Sequence, residues 1–201
     1  LRAAGALFIG KTNTPEFGLG SNTFNPVYGK TKNPYDLTRT CGGSSGGAAV
    51  ALATRMLSIS DGSDMMGSLR NPAAWNNVYG LRPTWGLVPP EPSGEIFLSQ
   101  LSTLGPMARS PKDLALLLDV QANHSENKSY VSQSKSFSNF TAQPRMKGIK
   151  IGWLGDWGGT LTFEDGLLDL AQKALNEMSS LGAIIHDLKA PFAMNDIWTS
   201  W

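Results

Sequence analysis

Cysteine and histidine are nearly missing from this chain of 201 residues. Cys41 is the single cysteine, so no intrachain disulfide forms and a cysteine-rich zinc site is excluded. His124 and His186 are the only histidines, too few for a histidine-based metal cluster. No metal and no cofactor are expected. Charge of one sign is also lacking: 17 basic residues stand against 16 acidic ones, a net charge of +1. Without a single-signed field, neither nucleic acid nor an anionic membrane surface is an expected partner. No apolar run approaches the ~20 residues that span a bilayer. A hydrophobic content of 41% and a charged content of 16% exclude a disordered chain and a coiled coil. The length suits one good-sized domain or two small ones.

Glycine is what the chain has in excess, 22 residues without a Gly-X-Y period. Such glycines belong in turns and at close backbone approaches. Leu1-Arg2-Ala3-Ala4-Gly5 reads as the last turn of a helix with a glycine cap, followed by a strand at Ala6-Leu7-Phe8-Ile9. No initiator Met or signal peptide precedes it, and Asp196 to Trp201 stops inside an amphipathic pattern. The expectation is an internal stretch of a longer, cytoplasmic protein.

Residues 10–43 carry turn punctuation at Thr14-Pro15, Asn25-Pro26, Asn33-Pro34 and Tyr35-Asp36. Ala48 to Leu57 reads as a helix, apolar almost all round and therefore buried. A short strand near Leu57-Ser58-Ile59 leads into an irregular segment from Asp61 to Gly80. Ser110-Pro111-Lys112-Asp113 opens a helix through Leu114 to Val120. Residues 123–145, rich in Ser, Asn and Lys, form an exposed connection. Three glycosylation sequons begin at Asn123, Asn127 and Asn139, but a Ser/Asn-rich tract yields such triplets by chance. Residues 146–201 then form a β-α-β portion. It has a strand at Ile149–Leu154, a capping box at Thr162-Phe163-Glu164-Asp165, a helix marked by Leu167, Leu168, Ala171, Leu175 and Met178, and a strand at Ala183-Ile184-Ile185. Strands alternating with helices predict an α/β fold.

Two motif matches are decoys. Gly5-Ala6-Leu7-Phe8-Ile9-Gly10-Lys11-Thr12 fits the phosphate-loop pattern, yet its four middle residues are themselves the strand and Asn13-Thr14-Pro15 does not continue as a helix. Gly42-Gly43-Ser44-Ser45-Gly46 fits a nucleophile elbow, but no strand precedes it and neither histidine suits the role of partner.

A third constellation is a pair of serine loops. Ser44 lies in one glycine-rich loop and Ser68 in another, 24 residues on, and glycines there let backbone N–H groups crowd round one spot, as a developing oxyanion requires. Gly42-Gly43-Ser44-Ser45-Gly46-Gly47-Ala48-Ala49, Gly62-Ser63-Asp64 with Gly67-Ser68-Leu69-Arg70 and Pro72-Ala73-Ala74, and Gly80-Leu81-Arg82-Pro83-Thr84 closely resemble the signature of the amidase signature family. Gly10-Lys11-Thr12-Asn13, Pro15-Glu16-Phe17, Asn33-Pro34-Tyr35-Asp36 and Leu104-Gly105-Pro106-Met107-Ala108-Arg109-Ser110 match as well. The resemblance is dense over residues 1–122 and loose beyond.

The resemblance implies a single domain spanning 1–201, part of a mixed β-sheet core with helices on both faces. It implies hydrolysis of a non-peptide carboxamide to carboxylate and ammonia or amine by a Ser–Ser–Lys triad. Ser68 falls on the nucleophile, Ser44 on the bridging serine, and the Gly43–Ser44 bond on a cis peptide. Met65, Met66, Gly67 and Ser68 match the oxyanion-hole amides, and Asp64 and Arg70 hold the loop by a charge-assisted hydrogen bond. The triad lysine lies upstream of the Lys11-Thr12-Asn13 block in the family, so Lys11, Lys30 and Lys32 are not promoted to its place. Met66 stands where most members have Gly. The expectation is that it still presents its N–H, while Met65 and Met66 narrow the acyl pocket. Expected partners are a small-molecule amide and, at most, a second copy of the chain. Two other readings stay open: the amidase-like subunit of a tRNA-dependent amidotransferase, which frees ammonia from glutamine, and a non-catalytic amidase-fold fragment.

Overall fold

The computed structural model describes residues 1–89, 100–122, 136–139 and 146–200. The chain divides into two compact units, Leu1–Thr141 and Ala142–Trp201. The division falls inside the connection expected at 123–145, so residues 146–201 pack as a unit of their own. Both units combine helices with strands, as an α/β fold requires. The sequons at Asn123 and Asn127, and His124, lie outside the described residues.

In the first unit, β1 (Phe24–Asn25) and β2 (Gly29–Lys30) form a small antiparallel hairpin. Asn25 builds its turn, the side-chain Oδ1 accepting the N–H groups of Val27 at 3.0 Å and Tyr28 at 2.7 Å. Helix α1 (Gly46–Ala53) follows, then β3 (Ile59–Asp64), α2 (Arg70–Trp75), β4 (Tyr79–Gly80), β5 (Thr103–Ala108) and α3 (Pro111–Ala122). The three later strands make an antiparallel sheet in the order β3-β5-β4, with Ile59 opposite Ala108 and Asp64 opposite Thr103. Ala48, Ala49 and Leu52 of α1 pack with Leu69, Ala73 and Met107 in the core. The apolar helix is buried as its composition predicts, although it starts two residues earlier and ends sooner than expected.

Close approach explains the early start. A side chain on Gly47 would stand 2.5 Å from the backbone N and O of Asn13, and one on Gly46 would overlap Thr23 and Cys41. Only glycine lets the Thr12-Asn13 segment and Thr23 press against the first turn of α1. Thr23 uses that proximity: its Oγ1 accepts the Gly46 N–H at 3.1 Å and donates to the Gly42 carbonyl at 2.8 Å. A hydroxyl from another segment thus satisfies one of the unpaired amides at the helix start. At the other end, Arg109 Nη1 donates to the carbonyls of Leu52, at 3.0 Å, and Leu57. This places a cation at the negative end of the helix.

Several expectations need correction. Residues 6–9 are not in a ladder; Leu7 and Ile9 are 89% and 77% exposed, and the helix end before them is a single 3-10 turn, Arg2–Ala4, capped by Gly5 at φ +83°. Asp61 to Gly80 is not irregular throughout, because β3 runs on to Asp64 and α2 follows. Leu104–Ala108 is a central strand despite Pro106, which sits opposite Asp61 while its carbonyl still accepts the Leu81 N–H at 3.1 Å. Proline there disguised the strand, since it removes a ladder donor. The Ser110 cap is formed as expected, Ser110 Oγ accepting the Asp113 N–H at 3.1 Å and donating to its carboxylate at 2.8 Å. Residues 136–138 are tied to α3 by Asp119, which accepts the N–H groups of Phe137 at 2.6 Å and Ser138 at 2.8 Å.

The second unit contains β6 (Lys150–Trp153), α4 (Leu167–Ser180), β7 (Ile184–Asp187) and α5 (Met194–Ser200). β6 and β7 pair in parallel, Ile151 opposite Ile185. This is the expected β-α-β unit, but the capping box is not made: α4 begins after Gly166, which takes φ +81°. Leu175 is the one residue of α4 buried within the unit. Among the described residues no helix is long and apolar enough to cross a membrane, and no group of three or more His, Cys, Asp or Glu could hold a metal ion.

The Gly47 contact is testable. Gly47→Ala should destabilise the protein in urea unfolding, because overpacking against the Asn13 backbone costs about 1–3 kcal/mol and exceeds the roughly 1 kcal/mol that alanine gains over glycine within a helix. A gain in stability would show that the Asn13 segment yields.

Candidate active site

The two serine loops meet at their backbones. The N–H of Ser45, directly after Ser44, donates to the carbonyl of Ser68 at 3.3 Å. The Ser45 side chain adds a second tie: its Oγ accepts the Ser63 N–H and donates to the Ser63 carbonyl, both at 3.3 Å. Gly62 makes room for this, since a Cβ there would stand 2.7 Å from Ser45 Oγ. The segment 44–45 is therefore stitched to the end of β3 and to the residue that follows Gly67. Ser44 is buried and Ser68 half-buried. The Gly43–Ser44 peptide is cis, as the resemblance implied, and Gly43 lies against the backbone of Ser21 and Asn22, where a Cβ would come within 3.0 Å of the Asn22 nitrogen.

Asp64, fully buried at the end of β3, organises the loop that carries Ser68. Its Oδ1 accepts the Gly67 N–H at 2.7 Å, and its Oδ2 accepts those of Leu69 at 3.1 Å and Arg70 at 3.4 Å. Arg70 grips both oxygens, Nε on Oδ2 at 3.0 Å and Nη2 on Oδ1 at 3.1 Å. Arg82 adds Nη1 on Oδ1 at 2.9 Å. Burial alone would push the carboxyl up. The hydrogen bonds from Arg70, Arg82 and the amides outweigh it and hold Asp64 well below the usual carboxylate range. Asp64 and Arg70 thus hold the loop as a bidentate, charge-assisted pair.

Gly67, expected among the oxyanion-hole donors, is bonded to the loop's own carboxylate. With φ +118° it turns the loop, and its N–H is directed at Asp64. The amides of Met65, Met66 and Ser68 have no such acceptor among the described residues. Met66 is not among the residues with positive φ, so a side chain sits at this position without left-handed strain. The left-handed turn falls on Gly67 instead. Met65 and Met66 are about half exposed, at 46% and 52%.

Arg82 belongs to the site although the motif shows only its residue type and not its role. Besides the Asp64 carboxylate it holds the carbonyls of Asp64 at 2.6 Å, Met65 at 3.0 Å and Leu101 at 2.6 Å. Ser45 and Thr23 are likewise legible in the sequence only as residue types. No lysine among the described residues hydrogen-bonds to Ser44 or Ser68, and Lys11, Lys30 and Lys32 are exposed. Cys41 is buried beneath the loop, its Sγ donating to the Thr31 carbonyl at 3.2 Å, and burial pushes its thiol pKa up. After Lys11 no helix begins, so the phosphate-loop match has no anion cradle, and no strand leads into Ser44.

Two outcomes follow from this scaffold. Asp64→Asn should destabilise the protein by about 3–5 kcal/mol, the range for breaking a buried charge pair. Because the folded carboxyl lies below its unfolded value of about 3.9, this contribution is full above that pH and fades as the pH falls beneath it. The stability gap between wild type and variant, read by denaturant titration, should be flat from pH 7 to about 5 and narrow below about 4. Ser45→Ala should cost about 1–3 kcal/mol by leaving the Ser63 backbone groups unpaired; an unchanged unfolding midpoint would rule out the clamp.

Comparison with known proteins agrees with this geometry. The family model described as Amidase matches residues 1–197. A glutamyl-tRNA(Gln) amidotransferase subunit from Alkaliphilus metalliredigens is 39% identical over 198 residues, covering 95% of this chain and 39% of the relative. Among solved structures, a bacterial aryl acylamidase of the amidase signature enzymes superimposes with a TM-score of 0.86 at 31% identity, covering 96% of this chain and 40% of that one. A 6-aminohexanoate cyclic dimer hydrolase gives 0.80 at 30% identity, with coverage of 93% and 40%. The chain spans about 40% of the length of the relatives it matches. A match along nearly its whole length, together with the cis-serine loop and the Asp64-anchored loop, places the chain in the amidase signature family.

Proposed function

We propose that the protein hydrolyses a carboxamide through a serine acyl-enzyme, with Ser68 as nucleophile and Ser44 as proton relay. The observation that carries the reading is the Ser45 N–H bond to the Ser68 carbonyl, which sets the loop bearing Ser44 against the loop bearing Ser68. A serine hydroxyl needs a base, and a hydroxyl beside it can donate and accept at once. The base in this reading is a neutral, desolvated lysine from polypeptide beyond this stretch.

Ser68 Oγ attacks the amide carbon, its proton passing to Ser44 Oγ while Ser44 gives its own to the lysine. The carbonyl electrons move onto oxygen, and the amides of Met65, Met66 and Ser68 are the donors offered to that oxyanion. Gly67 acts one step back, through Asp64. The lysine's proton returns through Ser44 to the leaving nitrogen as the C–N bond breaks, and water then hydrolyses the ester. Met65 and Met66 side chains narrow the acyl side of the site. No cofactor enters the scheme. The substrate is a small-molecule amide, and the cytoplasm is the compartment that suits it.

The relative named as an amidotransferase component favours a second reading, in which the ammonia freed is passed on within a multi-subunit assembly. Ammonia release without partner chains, and no stimulation by tRNA, supports the free-standing amidase. Strict dependence on co-purifying chains supports the other.

A serine-directed fluorophosphonate probe tests the core claim. Labelling should vanish with Ser68→Ala, fall at least tenfold with Ser44→Ala and survive Cys41→Ala. Ammonia release should fall by at least a thousandfold with Ser68→Ala, as expected for loss of a covalent nucleophile. Undiminished labelling of Ser68→Ala would overturn the assignment, and an inert full-length protein would favour a non-catalytic member.

A further inference from the structure

Arg82 directs most of its hydrogen bonds at backbone and not at charge. Its Nη1 donates to the carbonyls of Asp64 at 2.6 Å and Met65 at 3.0 Å, as well as to Asp64 Oδ1 at 2.9 Å. Its Nη2 donates to the Leu101 carbonyl at 2.6 Å. Neutralising Asp64 requires none of these carbonyls, and Arg70 already grips both carboxylate oxygens. The carbonyls matter because each is one end of a peptide unit. The Asp64 carbonyl shares its plane with the Met65 N–H, and the Met65 carbonyl shares its plane with the Met66 N–H. In a trans peptide the two groups point in opposite directions, and Gly43–Ser44 is the one cis bond among the described residues. A guanidinium nitrogen that draws both carbonyls toward itself therefore turns both N–H groups away. The other two amides of the loop are set by different means. Gly67 donates to Asp64, while the Ser68 N–H is oriented by its unit's carbonyl, that of Gly67, which accepts the Asn71 N–H at 2.7 Å in the first turn of α2. Arg82 itself is held from outside the loop, since the preceding Leu81 donates its N–H to the carbonyl of Pro106 in β5 at 3.1 Å.

We propose that Arg82 is the positioning residue of the oxyanion hole, aiming the Met65 and Met66 amides away from the loop's anchor and toward the developing charge. The inference rests on the acyl-enzyme reading above, in which those amides are donors to the oxyanion. Arg82 touches neither the substrate nor Ser68 in this role and acts through two peptide planes. Its charge helps as well as its geometry. A carbonyl bonded to a cation is polarised, and the N–H at the other end of the same unit becomes a stronger donor. The role belongs to the donors more than to the guanidinium shape: an ammonium has three N–H donors, as many as the acceptors gathered at Nη1. Removing Arg82 also leaves Asp64 paired with Arg70, so the loop's buried carboxylate keeps a cation while the two amides lose their aim.

Hydrolysis of 4-nitrophenyl acetate and of its thiono analogue, with sulfur in place of the carbonyl oxygen, tests it in the full-length protein. Sulfur is a weak hydrogen-bond acceptor, so the thiono ester gains little from well-aimed amides. Arg82→Met should lower kcat/KM for the oxygen ester at least tenfold, since loss of one oxyanion donor costs about 10²–10³ in kcat. The thiono ester should lose less than threefold. A merely structural role would slow both esters alike. Arg82→Lys should hold the oxygen ester within threefold of wild type. Circular dichroism checks folding, and Arg82→Gln, with a neutral amide on a shorter stem, is read in the same way if Arg82→Met does not fold. Equal losses on the two esters, or no loss on either, would overturn the inference. With a wild type that cleaves the oxygen ester, those outcomes sink this inference alone. A wild type that cleaves neither ester and takes no fluorophosphonate label sinks the acyl-enzyme reading, and this inference with it.

Discussion

The arrangement depends above all on one buried carboxylate. Asp64 ends a strand of its sheet, so its backbone is positioned by ladder pairing to Thr103, while its side chain gathers three loop amides and two guanidinium groups. A carboxylate so placed would be costly without these donors and is a rigid anchor with them. It converts the position of a strand into the shape of the loop carrying Ser68. It also explains why the left-handed turn falls on Gly67: the residue that donates its N–H back to Asp64 must reverse the chain. Met66 is thereby relieved of that requirement and can carry a side chain.

Glycine works on the same problem from the opposite side. The loop bearing Ser44 reaches Ser68 only because Gly62 admits Ser45 Oγ, and Gly46 and Gly47 admit Thr23 and Asn13. Each of these contacts would be displaced by a methyl group, so the glycine excess marks close packing more than freedom to move. The Gly10-Lys11-Thr12-Asn13 block has its part here: the Asn13 backbone fills the space that Gly47 leaves. What resembled a phosphate loop is a packing partner of the first turn of α1, directly after the loop bearing Ser44.

Legibility followed the range of the interaction. Helix α3 was readable because its cap, the Ser110–Asp113 exchange, lies within four residues. The apolar α1 was readable because composition alone demands burial. The β6-α4-β7 unit followed from periodicity, though its capping box was not formed because Gly166 supplies the turn into the helix. The strand at Thr103–Ala108 was obscured by Pro106, whose cost to the ladder is met by neighbours distant in sequence. The segment 6–9 has the composition of a strand, yet a strand exists only by pairing, and no partner among the described residues pairs with it.

The sequence by itself marked the candidate reacting groups, since Ser44, Ser68 and the glycine-rich blocks around them resemble the signature of the amidase signature family. It also determined which residue types could not contribute, because one cysteine and two histidines leave no thiolate or imidazole metal cluster to build. Tertiary structure alone decided the division of labour within the loop: Gly67 to the anchor, Met65, Met66 and Ser68 to open amides, Arg82 to a place beside Arg70. The physical reason is that a backbone N–H has the same character in every residue. Its role depends on where it points, and that direction is fixed by Asp64 and Ser45, whose partners are brought near only when the chain has folded.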